Sequence, residues 1–164
     1  MLPGYHNIIT RCRGENDDGR GGVALFIKAS IDFVVRDDLS VFIAHVYESI
    51  VVEISPPCGK KIIVAVIYRP NTAPRADLNI FINTFHGLLD QINHEHKLGV
   101  FMGDMNVDLL KYSSHDATDT YIEGIFARGF IPRILKPTRV THASATLLDH
   151  IITNDIIYNC GAGS

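Results

Sequence analysis

Between Ile62 and Ile67 the chain carries no polar side chain. A β-strand of that composition is apolar on both faces, so Lys61 to Tyr68 (KIIVAVIY) is placed centrally in a sheet with a layer on each side. Arg69-Pro70-Asn71 ends it. The period then changes. Between Pro74 and His96, Leu78, Phe81, Ile82, Phe85, Leu88, Leu89 and Ile92 recur at three- and four-residue spacing, which is one face of an amphipathic helix that covers a sheet.

Further elements flank this pair. Val23–Lys28 and Ile31–Val35 read as strands, and the glycine-rich acidic stretch Glu15–Gly22 as a loop. Val41–Ser55 is either one long strand or a hairpin split near Tyr47-Glu48, closed by the turn Pro56-Pro57-Cys58-Gly59. Asp116–Arg128 reads as a second helix, with Tyr121, Ile122, Ile125 and Phe126 inward and Gly129 as its stop. Pro132–Thr141 is extended, and Thr146–Thr153 (TLLDHIIT) is a last strand. Consecutive strands lie close enough to pair as hairpins, so a mixed or antiparallel sheet with helices outside is expected: one layered α/β domain over residues 1–164.

The candidate chemistry sits after the second apolar run. Leu98, Val100, Phe101 and Met102, with Gly99 among them and Gly103 following, form a short buried strand that ends in Asp104-Met105-Asn106. Residues two apart on a strand point the same way. The Asp104 carboxylate could then relay a proton while the Asn106 amide donates to a non-bridging phosphate oxygen without adding charge. The same pair also makes an ordinary strand-end turn, where Asp and Asn cap local backbone groups. Its companions therefore matter.

Tyr68, at the end of the central strand, can offer a hydroxyl to a phosphate or can simply pack there. Asp149 lies in an apolar strand, where a buried carboxylate needs a partner, and orienting a histidine is one good use. His150 faces the opposite side and is read as a packed or solvent-facing residue. Thr138, Arg139 and Thr141 precede this strand and serve either a phosphate contact or a turn.

Composition bounds the alternatives. With 46% apolar and 20% charged residues, the chain is a globular domain with enough apolar material for a sizeable core. No run approaches the roughly 20 apolar residues of a membrane span. Met1-Leu2-Pro3-Gly4 opens no signal peptide, so an intracellular location is expected, with neither membrane nor obligate protein partner. Three widely spaced cysteines suggest neither a disulfide framework nor a zinc knuckle. A net charge of −3 argues against a protein that coats nucleic acid, though not against a nuclease whose bound cation supplies the positive charge.

Together, GRGGVALFIK, IYRPN, DLNIF, GDMNVDLL and KPTRVTHASATLLDHIITN, in that order, resemble the endonuclease/exonuclease/phosphatase superfamily. That group contains DNase I, abasic-site endonucleases and the endonuclease domains of LINE-type retrotransposons, and the resemblance is greatest to the jockey-like branch. It implies a DNase I-like fold, two mixed, mostly antiparallel sheets packed face to face with helices outside. It also implies Mg²⁺- or Mn²⁺-dependent cleavage of DNA phosphodiesters by water, in the nucleus if the target is genomic. By the same resemblance Asp104 handles the proton of the attacking water or leaving oxygen, Asn106 holds the phosphate, Tyr68 lines the site and Asp149 braces a catalytic histidine. Thr141 and Asn71 are further candidates for a phosphate contact.

Two family signatures do not occur in this sequence: the metal-binding Glu of a Gln-Glu-Thr-like motif and the closing Ser-Asp-His triplet. Glu48 and Glu53 lie on later strands and are not taken as the missing ligand, so no metal ligand is assigned. The chain is therefore expected to be the middle of an endonuclease domain, truncated at both ends. Loss of such groups costs on the order of 100-fold or more in rate, so activity of the chain alone is expected to be negligible. The alternatives are a non-catalytic remnant or a phosphatase of the same fold.

Overall fold

A computed structural model of the chain describes residues 2–11, 22–71 and 75–155. The expected loop before Gly22, the stretch after Asp155, and Cys12 and Cys160 lie outside the described residues. Cys58 is an exposed free thiol. In chain order the strands before the first helix are β1 (Ile9–Arg11), β2 (Val23–Leu25), β3 (Asp32–Val35), β4 (Phe42–Ile43), β5 (Tyr47–Ser55) and β6 (Ile62–Tyr68). Then come α1 (Arg75–His94), β7 (Leu98–Asp104), a 3₁₀ turn at Leu109–Lys111, α2 (Asp116–Ala127), β8 (Ile131–Pro132), β9 (Arg139–Val140), β10 (Ala145–Thr146) and β11 (Asp149–Thr153).

Seven strands form the main sheet in the order β3-β5-β6-β7-β11-β8, with β4 added to β5. Strands β6 and β7 run parallel, joined by α1, and the other pairs are antiparallel. The all-apolar strand is interior, as its composition requires. Its Ile63, Ala65 and Ile67 pack under the helices with Phe81, Phe85, Phe101, Tyr121 and Phe130. Val64, Val66 and Tyr68 face the other way, against Val23, Leu25, Ile50 and Val52. Each large apolar side chain in this double core contributes roughly 1.5–3 kcal/mol through burial.

The architecture is the expected mixed α/β sandwich with both helices on one face. Among the described residues the second sheet is the antiparallel ribbon β1–β2, and a third ribbon pairs β9 with β10.

One open alternative is settled and two local expectations change. The segment Val41–Ser55 is a hairpin whose turn precedes Tyr47: His45 takes φ +63° and the Val46 N–H donates to the Ile43 carbonyl at 2.9 Å. The last strand begins at Asp149, because the Leu147 and Leu148 carbonyls accept from Leu109 and Met105 in the loop after β7. Phe126 is 51% exposed instead of inward. The helix stops one residue later, and the reversal at Gly129 (φ +77°) delivers Phe130 to the core in its place.

Charge is concentrated beneath the opposite end of the sheet. The Arg36 guanidinium donates to Glu95 at 2.7 and 2.9 Å and to Asp38 at 2.7 Å, Lys97 bridges Glu95 and Glu53, and Lys61 adds to Glu53 at 2.8 Å. These bonds, Arg36 first and then Lys97, hold the Glu95 carboxyl well below the ordinary carboxylate range. A carboxyl lowered in the folded state stabilises above its unfolded pKa, and that stability is lost as pH falls through the folded value. Glu95→Gln is therefore expected to cost about 1.5–3 kcal/mol at neutral pH, the worth of charge-assisted hydrogen bonds. In urea melts taken as a pH series, the gap from the unmodified chain should narrow below the ordinary carboxylate range.

Candidate functional site

The sheet register aligns the candidate side chains. Tyr68, the last residue of β6, pairs with Asp104, the last of β7, and Asp104 pairs with Asp149, the first of β11. Residues opposite one another across strands point to the same face, so the three share one rim, at the carboxyl ends of the parallel pair. Sequence reasoning did not anticipate that the row continues. Glu48 of β5 pairs with Tyr68 on the same face and is 2% exposed. Its strand looked remote in the sequence, and only the β5–β6 hairpin brings it alongside.

Asn106 reaches this rim by a different route from the one expected. Strand alternation ends at Asp104: Met105 turns into the core, fully buried, and Asn106 adopts φ +48°. Its N–H donates to Asp104 Oδ1 at 3.2 Å, an Asx turn that replaces the pleat in holding the two together. The Asn106 Nδ2 donates to the Arg69 carbonyl at 2.6 Å, and the same carboxamide also acts on the Asp104 carboxylate. Beside it lies a cleft of 260 Å³ lined by Asn71, Asn106, Lys111, His115 and Leu148. The larger cleft of 730 Å³, near Ile62 and Leu98, is at the far end of the parallel strands and includes none of the row.

The expectation for Asp149 needs correction. Its side chain is exposed, so the rim hydrates it and no buried partner is required. No described histidine hydrogen-bonds to it. His150 is the buried one, 1% exposed on the opposite face. Its Nε2–H donates to Val107 O at 3.0 Å, and Nδ1 lies 3.1 Å from the Tyr121 hydroxyl. Burial lowers its pKa, so the ring is held neutral with the proton on Nε2, where two carbonyls converge. It packs and braces the loop from below.

Electrostatics single out Asp104. Burial raises its pKa above the ordinary carboxylate value, and repulsion from Asp149 adds to the rise. Hydrogen bonds from Asn106 and the charge of Arg69 act in opposition. A carboxyl so tuned takes a proton more readily than a free aspartate.

Thr141 and Asn71 are both exposed, and only Asn71 borders the Asn106 cleft. The Thr141 hydroxyl closes the turn between β9 and β10, accepting from the Ser144 N–H at 3.1 Å. Thr138 is the one that meets the site strand, its hydroxyl accepting from the Leu148 and Asp149 N–H groups at 3.2 Å. Among the described residues no three His, Cys, Asp or Glu side chains come together to hold a metal ion. Asp104 and Asp149 supply two carboxylates at the rim; Mg²⁺ is ordinarily held by one or two carboxylates with water and substrate phosphate completing its shell, so the pair fits such an ion in number, and no full ligand set is assigned among the described residues. No helix among the described residues is long and apolar enough to cross a membrane.

The profile of the Endonuclease/Exonuclease/phosphatase family matches residues 2–163. No curated protein matches the chain. Among solved structures, the endonuclease domain of TRAS1, a telomere-specific non-LTR retrotransposon, superposes with a TM-score of 0.61 at 14% identity, covering 92% of this chain and 66% of that one. D. rerio TDP2 complexed with a single-strand DNA product gives 0.60 at 12% identity, covering 92% and 62%. A mannosyl-6-phosphatase of Bacteroides thetaiotaomicron gives 0.58 at 15%, covering 93% and 63%. The chain thus spans just under two thirds of the length of these structures, which share its fold. The in-register rim and a profile match over almost the whole sequence lead to one assignment: the chain belongs to the endonuclease/exonuclease/phosphatase family.

Proposed function

We propose that this chain serves phosphodiester hydrolysis in DNA, as part of an endonuclease domain of the retrotransposon type, with chemistry at the Tyr68–Asp104–Asn106–Asp149 rim. The observation that supports this most is the row itself, a proton acceptor and amide and hydroxyl donors at one sheet edge. In the proposed reaction a water attacks phosphorus and gives its proton to Asp104, the bond from phosphorus to the leaving sugar oxygen breaks, and that oxygen takes a proton from solvent to leave as a hydroxyl. The Asn106 carboxamide and the Tyr68 hydroxyl donate to the non-bridging oxygens as charge builds on them.

Two features favour a polynucleotide over a small phosphorylated substrate. The rim is open, and the β9–β10 ribbon beside it exposes Arg139, Val140 and His142, with Val140 71% exposed. The structural relatives named for DNA processing point the same way. Because the Gln-Glu-Thr-like and Ser-Asp-His motifs are absent from the sequence, nicking by the chain alone is expected to be weak.

The test is conversion of supercoiled plasmid to open circles by the chain, and by the chain joined to its natural flanking sequence. Each is run with Mg²⁺, with Mn²⁺ and with chelator. Nicking that Asp104→Ala abolishes supports the proposal. Nicking that survives Asp104→Ala overturns it, and so does release of inorganic phosphate from monoesters without nicking. Inertness of both forms would leave a non-catalytic member of the fold.

A further inference from the structure

We infer that Arg69 is the positioning residue of the proposed site, its guanidinium completing from the side chain what its backbone begins in fixing the turn that presents Asp104 and Asn106. The inference rests on reading the rim as the place of phosphodiester chemistry. Arg69 follows Tyr68 directly and is 5% exposed. Its N–H donates to Asp104 O at 2.9 Å, Nε to Met105 O at 2.8 Å and Nη2 to Asn106 O at 2.5 Å. Its own carbonyl accepts from Asn106 Nδ2 at 2.6 Å. One residue thus holds three consecutive residues of the motif through four bonds.

The chemistry of the side chain suits this task. Past the end of β7 the Met105 and Asn106 carbonyls have no ladder partners, and the two point toward one place. A planar guanidinium presents several N–H groups in fixed geometry and satisfies both at once, which an ammonium on a flexible stem cannot do. The rest of the group is secured too. Nη1 donates to Pro70 O at 3.3 Å, and the guanidinium carbon sits 5.9 Å from the centre of the Phe81 ring on α1. Burying a cation here is costly, and Asp104 offsets part of that cost. With Arg69 in place, the Asn106 carboxamide is held at the same turn through its bond to the Arg69 carbonyl. Without the guanidinium, the Met105 and Asn106 carbonyls lose their side-chain donors, and the turn is held only by its backbone bonds and the Asx contact.

The experiment compares Arg69→Lys, which keeps the charge and loses the fork, with Arg69→Met, which loses both. Asp104 titrates among Asp149 on β11, Tyr68 on β6 with Glu48 beyond it on β5, Asn106, Arg69 itself and the Tyr121 hydroxyl behind. The readouts are the ¹⁵N-resolved resonances of the Asn106 carboxamide, the ¹³Cγ titration of Asp104, and nicking kinetics in whichever form of the protein nicks.

Both variants are expected to shift the Asn106 carboxamide resonances and lower kcat about 10- to 100-fold with KM within about 3-fold, the cost of misplacing a reacting group by about 1 Å. The Asp104 titration should stay put in Arg69→Lys and move up in Arg69→Met. Folded variants with unmoved carboxamide resonances and unchanged kcat overturn the inference. If neither variant folds, exchange of the Arg69 Nε–H in the unmodified chain decides: protection supports the clasp and exchange at the solvent rate overturns it. If no form nicks DNA, the proposed function falls, while the resonances still report whether Arg69 holds the turn.

Discussion

Asp104→Asn is expected to reduce the nicking rate by about 10²- to 10⁴-fold, the range for loss of a positioned general base, with little change in stability. The substitution keeps the shape and an acceptor oxygen for the Asn106 N–H, so the turn survives. It removes a carboxylate that the folded state disfavours, since burial and Asp149 both raise its pKa. A group whose pKa is raised by folding opposes folding once it is ionised, so thermal melts at neutral pH should show Asp104→Asn equal to or slightly more stable than the unmodified chain. The same sign governs the pH profile. The base works only when ionised, so activity falls on the acid side at a pH above the ordinary aspartate value. Asp149→Asn, which removes the repulsion, should move that limb to lower pH. A limb that moved upward instead would show that Asp149 does not act on Asp104 through its charge.

Gly103→Ala is expected to cost more than about 4 kcal/mol, a large share of the roughly 5–15 kcal/mol available to a typical domain. Gly103 sits at φ +139°, a conformation L side chains avoid, and a Cβ there would lie 1.9 Å from the Ile67 carbonyl oxygen. That oxygen is backbone of the neighbouring parallel strand, so β6 and β7 would have to separate where they present Tyr68 and Asp104. Gly99 provides a control on the same strand. A Cβ at Gly99 would meet the Phe101 ring at 2.7 Å and Ile92 at 3.2 Å, core side chains that can yield more than hydrogen-bonded backbone can. Urea titrations followed by circular dichroism should therefore rank Gly103→Ala far below Gly99→Ala in stability. Equal losses would refute the register as described.

Strong periodicity carried most of the architecture into the sequence. The apolar run at 62–67 could satisfy both faces only inside a sheet, and the Leu78–Ile92 stripe could only be a helix against it. The glycine after the second helix is legible because a left-handed residue is needed there. What stayed hidden depended on partners distant along the chain. Arg69 reads as an ordinary polar residue before a proline until the Met105 and Asn106 carbonyls converge on it. Glu48 reads as one more strand residue until the β5–β6 register sets it beside Tyr68. Asp149 looked buried because its sequence neighbours are apolar, whereas its face of β11 lies open at the rim. Phe126 fits the helical stripe, but the helix runs out before the core can use it.

The crossover through α1 also sets an order of assembly. Tyr68 and Asp104 belong to one strand–helix–strand unit and become neighbours as soon as that unit closes. Asp149 arrives only when the last described strand docks on β7. A chain emerging from the ribosome would therefore set Asp104 beside Tyr68 first and add the repulsion of Asp149 last, so that part of the tuning of the acid is a late event in the life of each molecule.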